Sequence, residues 1–424
     1  MKIAIIGSGI SGNTIAWQLK DEHDISIFEA ENHIGGHTHT HDIDINGKPY
    51  AVDTGFIVFN ERTYPNFIAM LDELGVASQS TEMSFSIKDS LDNLEYNGHN
   101  LNSLFAQRSN LFRPSFLRMI KDILRFNQQA IASLNNISSS LSLGDYLHHY
   151  DYGDYFINKY ILPMGAAIWS TDPQKMLDFP AKFFIRFFAN HGLLQIKDRP
   201  RWFTIKGGSR TYLQPMLKGL EKHIFTNCPI ESVKRLNNQV LVSPANQAAQ
   251  LFDAVFIATH SDQALRLRGS DVLPNEADIL SKIAYQKNTA VLHTDSRLLP
   301  KRKRAWASWN YHINADQEAP VALTYYMNRL QSIDAPVDFC VTLNHHENID
   351  PAKIIKTIDY YHPVFTADSI HAQSQQHVIN NNNIYYCGAY WANGFHEDGM
   401  VSALNAIQHF QEDQHEKLSL SRTG

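Results

Sequence analysis

The chain has 424 residues, 43% hydrophobic and 19% charged, with 37 basic against 43 acidic side chains and so a formal net charge of −6. That length points to two domains rather than one small core, and the acidic balance argues against a nucleic-acid partner. There is no apolar run long enough to span a bilayer, and the scattered cysteines Cys228, Cys340 and Cys387 make neither a CxxC pair nor a disulfide framework, which points to a reducing cytoplasm.

The first predicted element is the apolar run KIAII, Lys2–Ile6, the kind of strand buried in a parallel sheet. It enters Gly7-Ser8-Gly9-Ile10-Ser11-Gly12, where a secretory signal would keep an apolar centre, so it reads as a strand entering a turn. A helix follows from Asn13 to Lys20, and then a second strand, DISIFE, ends on Glu29 with Ala30 behind it. Gly7 allows the tight turn, Gly9 the close approach of a pyrophosphate, and Gly12 the close packing of helix on strand. The free N–H groups of the helix N-terminus attract phosphate, and Glu29 is placed to accept from a ribose diol. A glycine-rich turn in an ordinary α/β protein is the alternative. The ordered strand, turn, helix, strand and acid weigh against it, so a dinucleotide site is expected here.

Further on, His37-Thr38-His39-Thr40-His41 places histidines two apart on a strand, a spacing that can bind zinc. No metal is expected at this run. After Thr81 the pattern changes to a strand-like piece, Met83–Ile87, and then to helices through Asn127. The stretch Leu111–Phe126 is basic and amphipathic, and Lys182–Phe188 carries four phenylalanines. These suit an anionic membrane surface at the inner face and an acyl channel, or, more simply, two ordinary buried helices. Trp202–Leu213 carries Gly207-Gly208 ahead of a helix. Ile224–Val233 reads as strand, turn, strand, and Asp253–Thr259 as a buried strand followed by His260. Strand-rich stretches fill about 285–375, the KRKR run Lys301–Arg304 is a solvated loop, and Ile384–Tyr390 is the last strand before a last helix.

Gly35-Gly36, six residues beyond Glu29, resembles the pair found in the flavoprotein group of amine oxidases, phytoene desaturases and protoporphyrinogen oxidase. Within that group GGHTHT, Asp53–Phe67, Pro163–Thr171, Arg201–Leu213 and Gly388–Gly399 are similar to a bacterial family of amine-oxidase-like, predicted NAD/FAD-binding proteins, over nearly the whole chain. The resemblance implies FAD and an α/β fold: a discontinuous Rossmann-type FAD domain (1–80, 200–282 and 376–415), a mixed sheet-plus-helix substrate domain (81–199 and 283–375), and a flexible tail (416–424). It implies cofactor contacts from Gly35 and Gly36, from His37, where relatives carry arginine, and from Thr38, Gly55 and Gly207. It also implies adenine pairing near Ile230, pyrophosphate contact near Thr259 and His260, and flavin or ribityl contact from Gly388, Tyr390, Asp398 and Gly399. Trp391 joins Tyr390 as a candidate aromatic wall, and Glu397 is the alternative to Asp398.

The lysine that many such amine oxidases hold near flavin N5 falls at Thr289 or Ala290, where this chain has none. His293 is the candidate acid/base group in its place, with a core histidine as the alternative. The family's genes often neighbour those of cyclopropane-fatty-acid-synthase-like enzymes, which implies a lipid acyl substrate. The expected activity is hydride transfer from an apolar, fatty acyl substrate to FAD. The alternatives are an amine oxidase using O₂ and a non-redox FAD protein in lipid modification.

Overall fold

The computed structural model describes residues 1–138, 140–313 and 321–423. A five-stranded sheet occupies one side, in the order Ile224–Phe225, Asp24–Phe28, Lys2–Ile6, Ala254–Ile257, Ile384–Tyr386. Its paired strands all run parallel. Such a sheet has both faces covered, which is why KIAII alternates no polar residue. Ile3 and Ile5 point to one face, against Ile15, Ala16 and Leu19 of the helix Ile10–Leu19 and Ala403, Ala406 and Phe410 of the last helix. Ala4 and Ile6 point to the other, against Val233, Val240 and Val242 of a three-stranded antiparallel sheet and the helices Ser261–Arg268 and Pro274–Ser281.

A seven-stranded sheet forms the second layer, in the order Ile354–Pro363, Tyr285–His293, Cys340–Leu343, Ala322–Tyr326, Trp309–Ile313, Phe85–Asp89, Leu94–Asn97. It is antiparallel except where Trp309–Ile313 runs beside Phe85–Asp89. One end of it packs against the helices Pro114–Ser133, Leu143–His149, Leu162–Trp169 and Ala181–Asn190, whose apolar faces close on Phe116, Tyr146, Trp169, Phe184 and Phe188. A small sheet, Val58–Asn60, Trp202–Ile205 and Ser78–Thr81, ties segments distant in sequence together beside the cavity that separates the two layers.

The last helix runs His396–Thr423. The tail expected from residue 416 is therefore a continuation of that helix as far as Thr423, because nothing in EKLSLSRT breaks it with glycine or proline.

Candidate cofactor and active site

One cavity of roughly 1780 Å³ runs from the ends of the parallel strands to the aromatic core of the second layer. It exceeds the roughly 300–1,000 Å³ of an ordinary small-molecule pocket, enough for a dinucleotide and a substrate together.

Backbone builds its first end. Gly9 is the N-cap of the helix Ile10–Leu19, and no side chain caps that helix, so its first-turn N–H groups are left for a ligand. A Cβ on Gly9 would meet nothing within 4 Å, whereas one on Gly12 would lie 2.0 Å from the Gly7 carbonyl oxygen. Gly9 therefore opens onto the cavity and Gly12 seals helix to strand, as the different duties of these glycines require. Gly36, at φ +58°, lies with its Cβ position 3.2 Å from Gly9 Cα. Glu29 is locked at its strand end: Oε2 accepts from Ser8 N (2.9 Å) and Ser8 Oγ (2.6 Å), and Oε1 accepts from Glu31 N (3.0 Å). Each oxygen can accept again on the cavity side.

Neutral rings build the middle. His37 stacks on Tyr360 (4.8 Å between centroids) and lies 5.5 Å from His362. Burial, then the nearby His362 and His260, hold its pKa well below the usual histidine range, and its Nε2 is buried without a partner. An orphaned polar atom in a cavity wall fits a polar group of a bound cofactor. His260 stacks on Tyr285 at 4.2 Å, and burial lowers it to about 4. His396 lies parallel to Phe56 at 3.6 Å, with Nε2 3.0 Å from Thr38 Oγ1 and 3.2 Å from Tyr212 OH. Burial takes it to about 3. Beneath this floor the buried Asp53 accepts from Ser209 N (3.0 Å), Ser209 Oγ (2.9 Å) and Gln331 Nε2 (2.8 Å), which fixes the turn carrying Gly55. Burial still pushes its carboxyl up to about 6, against the pull of those bonds.

Apolar and aromatic residues close the far end, among them Tyr160, Met164, Trp169, Phe187, Trp309 and Tyr325. Trp169 lies 4.7 Å from Phe187, and Trp309 packs edge-on to Tyr325 at 5.1 Å. The carboxylates lining the whole cavity are Glu29, Glu31, Glu82, Glu231 and Asp359. Glu82 is paired with Arg329 (3.1 Å) and Asp359 with Lys287 (2.8 Å). Glu29, Glu31 and Glu231 belong to the glycine end, where the backbone of 227–228 pairs with Glu29 and Glu31. Among the described residues, no unpaired carboxylate faces the aromatic chamber.

The cavity brings together Gly7, Ser8, Gly9, Ile10, Ser11, Glu29, Ala30, Gly35, Gly36, His37, Gly55, Ile230, Thr259, His260, Gly388 and Tyr390. Eight sequence candidates stand elsewhere. Gly12 and Thr38 lie directly behind the lining, in the contacts just described. Gly207 is exposed beyond the small sheet and does not reach the cavity. A Cβ on Gly399 would strike Ile10 Cγ2 at 2.6 Å, so this glycine serves the crossing of two helices. Asp398 accepts from Phe395 N (2.9 Å) and caps the last helix, with burial raising its pKa to about 6. Glu397 accepts from Asn66 N (3.0 Å) and Phe67 N (2.9 Å), so neither acid reaches a ribityl chain. His293 is fully buried, with Nε2 2.7 Å from Thr342 Oγ1 and Nδ1 accepting from Asp295 N (2.9 Å). It is a satisfied core histidine outside the cavity, and the acid/base assignment is corrected accordingly. Trp391 packs in the core beside Tyr390. Gly388 makes room for that tyrosine, since a Cβ there would lie 2.3 Å from its ring.

Sequence reasoning missed Tyr360, His362 and His396. The first two are two apart on Ile354–Pro363, the spacing that puts both on one face. Nothing local marks that face as a cavity wall.

Residues 10–310 match the model of the flavin-containing amine oxidoreductase family. No curated protein matches the sequence. Among solved structures, wild-type putrescine oxidase bound to putrescine is similar at 14% identity and a TM-score of 0.68, over 97% of this chain and 99% of that one. A CLA-producing fatty acid isomerase from P. acnes is similar at 15% and 0.68, over 96% and 98%. Cyclohexylamine oxidase from Brevibacterium oxydans IH-35A is similar at 14% and 0.67, over 97% and 99%. At these identities the likeness is one of fold.

Proposed function

The chain belongs to the flavin-containing amine oxidoreductase family and is an FAD-dependent oxidoreductase, and we propose that it oxidises an apolar substrate of the fatty acyl class. The glycine turn, the uncapped helix and Glu29 would hold the adenosine and pyrophosphate, and His37, Gly55, Tyr360 and His396 would border the flavin. Bound FAD supplies a hydride acceptor at N5. The protein's part is to bind the chain, exclude water and orient one C–H bond.

The observation that carries this reading is the aromatic chamber without a free carboxylate. An ammonium group brought into such a chamber would lose hydration without a counter-charge, whereas an acyl chain gains from burial there. A fatty acid isomerase shares the fold, as do amine oxidases, so the fold admits an acyl substrate. The test is anaerobic. The purified yellow protein, absorbing near roughly 450 nm, is mixed with phospholipids bearing unsaturated or methylated acyl chains and, separately, with a panel of amines. Bleaching by lipid is the expected result. Bleaching by amines alone would overturn the acyl assignment and leave an amine oxidase.

A further inference from the structure

Among the described residues, the most exposed large apolar side chains are Phe112 (86%), Leu101 (75%), Leu91 (71%) and Ile196 (66%). All four belong to the second layer, and three of them fall within a stretch of 22 residues in a chain of 424. The helix Pro114–Ser133 extends this region. Its inner face buries Phe116, Met119 and Phe126, while Leu117, Leu124 and Ile131 recur on the solvent side at spacings of seven. A helix of a soluble domain presents polar residues there, and this one interleaves those apolar residues with Arg118 and Lys121.

The charge of the region opposes that of the chain. Arg113 and Arg125 are paired, with Asp92 (3.4 Å) and Asp122 (3.0 Å). Arg108 bonds only to the Phe105 carbonyl (2.9 Å) and the Asn102 amide oxygen (2.6 Å), neither of which neutralises it. Among the described residues, Arg118 and Lys121 form no ion pair. Three unneutralised cations thus surround an exposed apolar surface on a protein of net charge −6.

The cavity also reaches the surface beside this region. His99 and Ile196 both line the cavity, and Leu101 opens the helix Leu101–Leu104 two residues after His99. No described helix is long and apolar enough to cross a membrane, so the surface suits lying on a bilayer rather than entering it.

We propose that the surface formed by Leu91, Leu101, Phe112 and the outer face of Pro114–Ser133 docks this protein on an anionic phospholipid membrane, with the cavity mouth at the lipid. Apolar side chains enter the acyl boundary, and Arg108, Arg118 and Lys121 meet the headgroups. The proposal rests on the acyl-oxidation reading only for its purpose, which is to deliver the substrate's chain directly from the bilayer.

The test is co-sedimentation of the FAD-loaded protein with phosphatidylcholine vesicles that contain or lack phosphatidylglycerol. The protein should pellet with the anionic vesicles and be released by salt. Arg118→Gln with Lys121→Gln should lower partitioning about 25-fold, from roughly fivefold per cation. Leu101→Ser with Phe112→Ser should lower it at least as far. Flavin absorbance and melting temperature confirm that each variant is folded. Equal binding to neutral vesicles, no binding to either, or wild-type binding by both variants would overturn the proposal. So would a dimer that Phe112→Ser converts to monomer, which would make the surface a self-interface. Because partitioning is read without turnover, vesicle binding without lipid bleaching sinks the acyl reading and leaves the docking surface standing. Lipid bleaching without vesicle binding does the reverse.

Discussion

The two ends of the cavity are built by opposite means. The nucleotide end is backbone: glycines that leave space, N–H groups that no side chain occupies, and one acid locked by Ser8. The aromatic end is side chain, contributed by helices and strands from residue 85 to residue 395. A backbone site depends on atoms that are missing, so one added carbon destroys it. A side-chain site depends on summed surface, so single changes only weaken it.

The sharpest way to break the comparison is within the glycine turn. A methyl on Gly12 would lie 2.0 Å from one backbone atom of Gly7 and 3.1 Å from another, neither able to move without opening the turn. Gly12→Ala should therefore lose about 3 kcal/mol or more and yield little folded protein. Gly9→Ala puts its methyl into open cavity at an ordinary φ of −66°. Its apo form should melt within about 1 kcal/mol of wild type while FAD affinity falls by roughly 100-fold or more. Calorimetry of both apo variants, followed by FAD titration of Gly9→Ala, checks this. If Gly9→Ala binds FAD normally, the pyrophosphate lies elsewhere.

The same contrast explains what was legible in the sequence. Gly7, Gly9, Gly12 and Glu29 are close in sequence and close in space, so spacing alone located the glycine turn that opens onto the cavity. Gly207, Asp398 and Gly399 also carry the right residue types, but their roles depend on which element packs on them. Asp398 faces its own helix start and Gly399 faces Ile10, and neither partner can be read locally. Trp169, Phe187 and Tyr325 are ordinary core residues by pattern. Only the tertiary arrangement leaves a chamber between them. His293 marks the same limit, since its residue type near that slot left acid/base and core readings open, and its partners Thr342 and Asp295 make it structural.

The middle of the cavity adds an effect of several kcal/mol, read by pH. Burial holds His260 and His362 at about 4 and His396 at about 3. These values lie below the roughly 6.5 of an unfolded histidine, so the unfolded chain binds more protons as the medium is acidified. Their contribution is complete above about pH 6.5 and is lost as pH falls toward 4, at up to about 1.4 kcal/mol per pH unit for each ring. Asp53, raised to about 6, acts with the opposite sign: its contribution is complete below about pH 4 and is lost as pH rises through 6. Asp398, also raised to about 6, acts in the same direction; the two carboxyls offset two histidines in that window, and His191 and His293, held at about 4, keep the balance a net loss. The melting temperature should drop steeply from pH 6.5 to 5, and His260→Asn should flatten the slope by about one proton. An unchanged slope would show that His260 is already charged or solvated in the folded protein.

At the aromatic end, Phe187→Leu keeps an apolar side chain and loses a ring that stacks on His191 at 3.8 Å and lies 4.7 Å from Trp169. FAD content should be unchanged and stability should fall by about 1 kcal/mol. KM for the proposed acyl substrate should rise by up to roughly tenfold. A variant that loses flavin instead would erase the distinction between the two ends.

The smallest effect on catalysis is expected at His293, the candidate acid/base group of the sequence. His293 accepts from the Asp295 backbone and bonds to the Thr342 hydroxyl, and burial lowers its pKa to about 4. Its ring ties the end of Tyr285–His293 to the neighbouring strand Cys340–Leu343. His293→Gln can keep one of the two bonds, so it should cost about 1–2 kcal/mol of stability. The rate of flavin reduction and its pH profile should match wild type, because no atom of this side chain lines the cavity. Rapid-mixing reduction across pH 5–9 tests the assignment directly. A core histidine moves only the melting temperature. A vanished acidic limb in the variant's pH profile would mean that a proton leaves the cavity through this strand after all, and the boundary between structural and catalytic parts of the sheet would have to be redrawn.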